Sequence, residues 1–115
     1  MAIDIPGLDA EKGLSLYGGE MDIYLEILRS YILNMPKNLD KIRNVSEETL
    51  QGYFIAMHGI KGISANIGAE RISEAALELE AMARADDLCG VLAKNNDFIA
   101  EMEKLLSGIR TWLEQ

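Results

Sequence analysis

The feature that most constrains this chain is a helical repeat of apolar residues that continues, with short breaks, over most of its length. Glycine and proline fall mostly between the repeating stretches and not inside alternating patterns, so we predict no strands. The repeat is clearest near the carboxyl end, where steps of three and four residues alternate, the spacing expected of one helix in a bundle. Its members are Leu88, Val91, Asn95, Phe98, Met102, Leu105, Ile109 and Trp112.

The same periodicity predicts three further helices before this last one, and Asp9 as a cap with Gly18 and Gly19 as a stop predicts a short first helix. We expect the five helices to cover about residues 10–17, 20–43, 47–67, 69–84 and 88–112. Pro36 interrupts the second pattern, which continues beyond it, so a kink is expected there. Ser46 precedes two acidic residues and is the expected N-cap of the third helix. Gly68 supplies the stop for that helix.

These helices predict an all-α fold. Four long amphipathic helices joined by short turns can bury their apolar stripes together as an antiparallel up-down four-helix bundle. The short additional N-terminal helix would pack across one end. A length of 115 residues suits one compact domain, so residues 1–115 are interpreted as a single domain.

Charge and composition exclude several classes of function. Lysine and arginine total 11 against 19 acidic residues, a net charge of −8, which argues against nucleic acid as a partner. One cysteine and one histidine cannot supply a zinc or haem site. The longest uncharged stretch, Thr49–Ile60, has twelve residues, fewer than the roughly 18 of a membrane span. We therefore expect a soluble, cytoplasmic chain without a secretory signal, and we expect Cys89 to be at least half-buried.

The single histidine, His58, lies one position past Met57 of the core stripe on the third helix. The residues expected on its face are Phe54, Ile55, Lys61, Gly62 and Ala65. A glycine inside a helix costs on the order of 1 kcal/mol relative to alanine, so Gly62 suggests that a partner's backbone approaches there. Lys61 is expected to be exposed and offers a cation to an anion on the ring.

A plainer interpretation of this face stays open. Phe54 and Ile55 would form an apolar contact rim if they are exposed, but they could equally belong to the core. Gly62 could relieve crowding between helices. A histidine on a helix surface is most often a polar residue without a special role.

Residues 58–68 read His-Gly-Ile-Lys-Gly-Ile-Ser-Ala-Asn-Ile-Gly, which closely resembles the H-x-x-K-G-x-S-x-x-x-G signature of histidine phosphotransfer (HPt) domains. The resemblance extends over essentially the whole chain, with a short first helix, a Gly-Gly turn and a four-helix bundle. It implies that His58 accepts a phosphoryl group from a receiver-domain aspartate. It further implies that Lys61 lies beside the phosphoryl oxygens and that Gly62 leaves room for docking. Ser64 and Gly68 occupy the remaining signature positions.

The resemblance also implies roles for two residues of the following helix. Family members often carry a glutamine or glutamate that orients the imidazole, and a basic residue one turn later. By spacing, these positions correspond to Glu80 and Arg84, which lie four residues apart on one helix face. The alternative is a solvated ion pair between the two side chains. The chain departs from the family at Gly59, where a larger residue is more common.

The expected chemistry needs little from this chain beyond a nucleophile. A neutral imidazole would attack through Nε2 while Nδ1 keeps its proton, held by Glu80. The sequence contains no Walker-type or kinase-like phosphate loop, so we expect no autonomous kinase or ATPase activity and no cofactor. The resemblance places Mg²⁺ in the receiver partner. It implies response-regulator receiver domains as partners, and possible contact with a sensor histidine kinase, in cis or in trans.

Two other functions remain open from the sequence. One is the phosphoacceptor domain of a chemotaxis-type histidine kinase, whose histidine receives its phosphoryl group from ATP in a separate kinase domain. The other is a helical interaction module that is never phosphorylated and binds a partner through Phe54, Ile55 and Ala65.

Overall fold

The computed structural model describes residues 3–115, which form five helices and no strand. The helices are α1 (Ala10–Ser15), α2 (Met21–Asp40), α3 (Leu50–Ala65), α4 (Glu70–Arg84) and α5 (Leu88–Leu113). The four long helices share one core, because α3 packs against α4, α4 against α5, and α2 against both α3 and α5. The predicted all-α class is confirmed. None of these helices is long and apolar enough to cross a membrane.

The core follows the apolar stripes expected from the sequence. From α2 and α5 it takes Tyr24, Leu28, Tyr31, Met35, Leu39, Val91, Phe98, Met102, Leu105 and Ile109. Asn95, the polar member of the α5 stripe, is also buried, and both the oxygen and the nitrogen of its side-chain amide are hydrogen-bonded. It accepts a hydrogen bond from the Tyr53 hydroxyl and donates one to the Ile42 carbonyl oxygen, both at 2.8 Å. Buried polar groups are normally paired in this way, so Asn95 does not disrupt the core.

The predicted start of α3 is wrong by three residues. Ser46 does not cap the helix, which begins at Leu50 with Thr49 as its N-cap. Residues 46–49 form a separate turn instead, in which the Thr49 Oγ1 accepts a hydrogen bond from the Ser46 backbone amide at 2.8 Å. The acidic residues Glu47 and Glu48 therefore lie in this turn and not in the first turn of the helix.

Other boundaries differ less. α1 ends at Ser15 and α2 ends at Asp40, two and three residues before the expected positions. Pro36 lies inside α2, which continues through it for one more turn. Cys89 is exposed, so the expectation that it is at least half-buried is wrong. It occupies the second position of α5 beside the buried Val91, and the helix turns its side chain outward there.

The N-terminal segment holds the turn between α3 and α4. Gly68 has a φ of 87°, and a side chain there would overlap the Asp9 carbonyl oxygen. The Asp9 amide donates to the Gly68 carbonyl at 2.9 Å, and the Tyr24 hydroxyl donates to the Ile67 carbonyl at 2.7 Å. Only glycine combines this backbone conformation with such a close approach. Gly68 therefore fixes how α3 connects to α4, the two helices that carry the candidate residues.

Candidate functional site

His58 projects from the side of α3 that faces away from the core. The buried positions of this helix are Leu50, Tyr53, Ala56, Met57, Ile60 and Ser64. His58 is adjacent to Met57, which is rotated about 100° from it around the helix. Its side chain is 63% exposed. Because the apolar stripe of α3 faces the core, the neighbouring His58 side chain is exposed to solvent.

The exposed imidazole rests on a buried carboxylate from α4. Glu80 is 2% exposed, and its Oε1 lies 2.7 Å from His58 Nδ1. The other oxygen, Oε2, lies 2.8 Å from the Lys61 ammonium. The Lys61 contact is an ion pair without hydrogen-bond geometry, because Oε2 has no aligned donor. One carboxylate therefore contacts both the histidine and the lysine of the signature.

The charge of Glu80 determines the tautomer of His58. Burial alone would raise the pKa of Glu80, but Lys61 and His58 more than offset it, and the pKa lies below its ordinary value of 4.5. An ionised carboxylate can only accept hydrogen bonds, so the Nδ1 of His58 must be the donor. In the neutral ring the lone pair then belongs to Nε2. The contact with Glu80 therefore fixes the tautomer of the neutral ring, with the proton on Nδ1 and the lone pair on Nε2.

Arg84 lies at the edge of the same cluster. Its guanidinium is 3.6 Å from Glu80 Oε1 and 5.2 Å from the centre of the Phe54 ring. Phe54 also stacks on the His58 ring, with 6.4 Å between the ring centres and 27° between the planes. Glu80 and Arg84 do form the ion pair of the alternative interpretation, but it is not fully solvated, because Glu80 is buried and its shortest contacts are to His58 and Lys61.

The glycines of α3 do not serve packing inside the protein. A Cβ added to Gly52, Gly59 or Gly62 would meet no other heavy atom within 4 Å. The interpretation that Gly62 relieves crowding between helices is therefore wrong.

Together with Ile55 and His58, these three glycines form what we call the outer face of α3. Ile55 is 63% exposed and is not a core residue, whereas Phe54 is half-buried. Ala65 is exposed one turn after Gly62.

The signature residue Ser64 has a place in the core. Its hydroxyl lies 2.8 Å from the Tyr31 hydroxyl, and both residues are buried. Tyr31 in turn donates to the Met102 sulfur at 3.3 Å, so this contact joins α2, α3 and α5. Ser64 and Gly68 thus shape the scaffold around α3 without touching His58.

Ser73 is a residue that the sequence interpretation missed. Its hydroxyl donates to the Lys61 backbone carbonyl at 2.9 Å and ties α4 to α3 beside the site. Ser73 precedes Glu80 by seven residues, or two helical turns, so both lie on the α4 face toward α3. That spacing was the available signal for Ser73. No group of three His, Cys, Asp or Glu side chains within residues 3–115 could hold a metal ion.

Comparison with known proteins indicates the family of the chain that carries this cluster. No curated protein and no solved structure matches the chain. A family model described as "Hpt domain" matches residues 26–112, which is more than half of the chain and includes His58, Lys61, Glu80 and Arg84. The chain therefore belongs to the Hpt domain family.

Proposed function

We propose that this chain is a phosphoryl carrier of a two-component phosphorelay. It accepts a phosphoryl group on His58 from the aspartate of a receiver domain and passes it to another receiver. The observation that carries the proposal is the 2.7 Å contact between His58 Nδ1 and the buried Glu80, which leaves Nε2 as an exposed nucleophile. Family membership supports the reaction class, since Hpt domains interact with receiver domains of response regulators.

The transfer step needs one bond to form and one to break. The lone pair of Nε2 attacks the phosphorus of the receiver's aspartyl phosphate, and the bond from phosphorus to the aspartate oxygen breaks with its electrons going to that carboxylate. Nδ1 keeps its proton throughout, so the phosphorylated ring is an imidazolium. Glu80, ionised and 2.7 Å away, offsets this positive charge. The reverse attack by a second receiver's aspartate returns a neutral imidazole.

Two cations support the transferred group in this proposal. A phosphoryl transition state spreads negative charge over three oxygens, and nearby cations stabilise it. Lys61 would move from Glu80 to the phosphoryl oxygens, which is feasible because its side chain is 28% exposed. Arg84 would provide a second cation from α4. Gly62, Phe54, Ile55 and Ala65 would contact the receiver around the ring.

The remaining features of the proposal concern the partner and the scaffold. Mg²⁺ would be held by the receiver, and this chain would bind no cofactor of its own. The acidic composition and single cysteine favour a cytoplasmic location. The four long helices would run antiparallel, up and down, since each pair of successive helices is joined by a short connection.

Phosphoryl exchange with purified receiver domains tests the proposal. Incubation with a phosphorylated receiver should give an acid-labile, base-stable phosphate on this chain, and His58→Gln should abolish it while helicity by circular dichroism is retained. Label on another residue, or no label with any receiver of the source genome, would reject the carrier function. Parallel incubation with a histidine kinase and ATP distinguishes a carrier from a kinase phosphoacceptor domain.

A further inference from the structure

Phe54 contacts both the nucleophile and the outlying cation of the site. Its ring stacks on the His58 imidazole from one turn earlier on α3, and the Arg84 guanidinium of α4 lies 5.2 Å above its centre. A cation over an aromatic face is held by the ring's quadrupole, and arginine is the cation most often found there. Phe54 therefore links the two sides of the cluster, because its ring contacts His58 of α3 and Arg84 of α4.

Arg84 needs such a restraint because of its surroundings. Its side chain is 70% exposed and lies 3.6 Å from Glu80, which is beyond a hydrogen bond. Arg84 and Phe54 both line a depression that also contains three carboxylates: Glu47, Glu48 and Asp86. None of these acids forms an ion pair with Arg84 in the structure, but their negative charges attract the exposed guanidinium. Without the ring, the free arginine side chain would spend more of its time on the acidic side, away from His58.

We propose that Phe54 is a positioning residue that holds the Arg84 guanidinium on the His58 side of this depression, ready for a phosphoryl group on Nε2. The proposal rests on the proposed function of His58 as a phosphoryl acceptor. Phe54 touches no reacting atom and acts through Arg84. The partner-contact role expected of Phe54 from the sequence is separate, because it would act through the receiver and not through this arginine.

The pKa of the phosphoryl group itself reports whether Arg84 is in place. A cation close to the phosphoryl oxygens favours their ionised form and lowers that pKa. Potassium phosphoramidate, a chemical donor to imidazoles, would phosphorylate the full chain without any partner. Titration followed by ³¹P NMR then gives the pKa for wild type, Phe54→Leu, Arg84→Ala and the double variant.

Arg84→Ala should raise the phosphoryl pKa by about 0.5 unit, and Phe54→Leu should raise it by part of that amount. The double variant should match Arg84→Ala alone, because Phe54 acts only through the arginine. Phe54→Trp should restore the wild-type value, since it keeps an aromatic face. Leu33→Met, at an exposed position of α2 outside the site, is the control and should leave the phosphoryl pKa unchanged.

Two results would overturn the proposal: a wild-type pKa in Phe54→Leu, or a Phe54→Leu effect that persists in the absence of Arg84. If phosphoramidate phosphorylates His58 but the phosphoryl group is not exchanged with any receiver, the proposed function is rejected. The comparison of phosphoryl pKa values among the variants would still test the role of Phe54. If phosphoramidate does not phosphorylate wild-type His58, both the nucleophilic role of His58 and the positioning role of Phe54 are rejected.

Discussion

The two sides of α3 differ in what their residues contribute. The core side carries large side chains, with Tyr53, Met57 and Ile60 at most 1% exposed. The outer face carries Gly52, Gly59 and Gly62 in open space. Each glycine weakens the helix by about 1 kcal/mol relative to alanine, with no packing requirement inside the protein. The comparison teaches that the stability of α3 comes from its core side, while the glycines of the outer face lower it and leave open space around His58.

Glu80 lies at the boundary between these two sides. Its carboxylate is as buried as the core residues, yet its partners His58 and Lys61 belong to the accessible part of α3. The buried hydroxyls of Tyr53 and Tyr31 pair instead with neutral groups of the core. A buried charge is costly unless it is paired, so Glu80 depends on the very residues that a phosphoryl group would engage.

The largest expected effect comes from breaking the core side at the residue next to His58. Met57→Ala should lower the free energy of unfolding by about 2–5 kcal/mol, because it leaves a cavity at a fully buried position. His58→Gln, one residue away, should lower it by less than about 1 kcal/mol. Urea unfolding followed by circular dichroism measures both. Equal losses in the two variants would contradict the division of α3 into two sides.

An intermediate effect is expected at the boundary, and it should depend on pH. Glu80→Gln should cost about 1.5 kcal/mol at pH 7, a typical value for hydrogen bonds to a charged group. The pKa of Glu80 is lower in the folded protein than its ordinary value of 4.5, so ionised Glu80 stabilises the fold above that pH. The wild-type advantage is then lost as the pH falls below 4.5 through the folded-state pKa.

Urea unfolding of wild type and Glu80→Gln at pH 7 and at successively lower pH checks this behaviour. The other acidic residues are shared by both proteins and cancel in the difference. An advantage that stays constant down to pH 3 would contradict the lowered pKa, because it would mean that Glu80 has the same pKa in the folded and unfolded protein. An advantage that grows as the pH falls would mean that Glu80 is protonated in the folded protein. That result would also remove the argument for the His58 tautomer.

The smallest expected change in the free energy of unfolding is an increase. Gly62→Ala should raise the free energy of unfolding by about 1 kcal/mol, because φ at this position is not positive and the added methyl group meets no atom. The same change should slow phosphoryl exchange with a receiver. Gly52→Ala, ten positions earlier on the outer face, is the control and should stabilise equally with a smaller effect on exchange. Equal exchange rates in wild type and Gly62→Ala would show that the open space does not serve docking.

Much of the fold follows from local patterns along the chain. The steps of three and four residues predict the four long helices, and the Asp9 cap with the Gly18-Gly19 break predicts the short first one. The α5 stripe matches the observed burial from Val91 to Ile109. The errors fall at helix ends, where a few polar contacts decide between helix and turn. At Ser46 the pattern of a capping residue before two acids fits a helix start, but Thr49 closes a separate turn there. The wrong expectation for Cys89 has a similar cause. Whether a side chain in the first turn of a helix is buried depends on how that helix packs against its neighbours.

The candidate site divides in a similar way. The position of His58 beside Met57 and the open space at Gly62 follow from a single helix, so the sequence could predict them. The contacts between α3 and α4 join residues 22 positions apart, and they depend on how deeply one helix lies against the other. The sequence therefore gave no sign that Lys61 would be half-buried on Glu80 and not freely exposed.

The sequence by itself determined the helices, the single histidine and its motif, because helical periodicity and residue spacing act within about one or two turns. The tertiary structure alone decided that Glu80 is buried beneath His58, that Lys61 shares this carboxylate, and that Arg84 rests on Phe54. These contacts need two helices to be brought together at one depth and register. That arrangement depends on core packing, on the Ser73 contact to α3 and on the turn at Gly68.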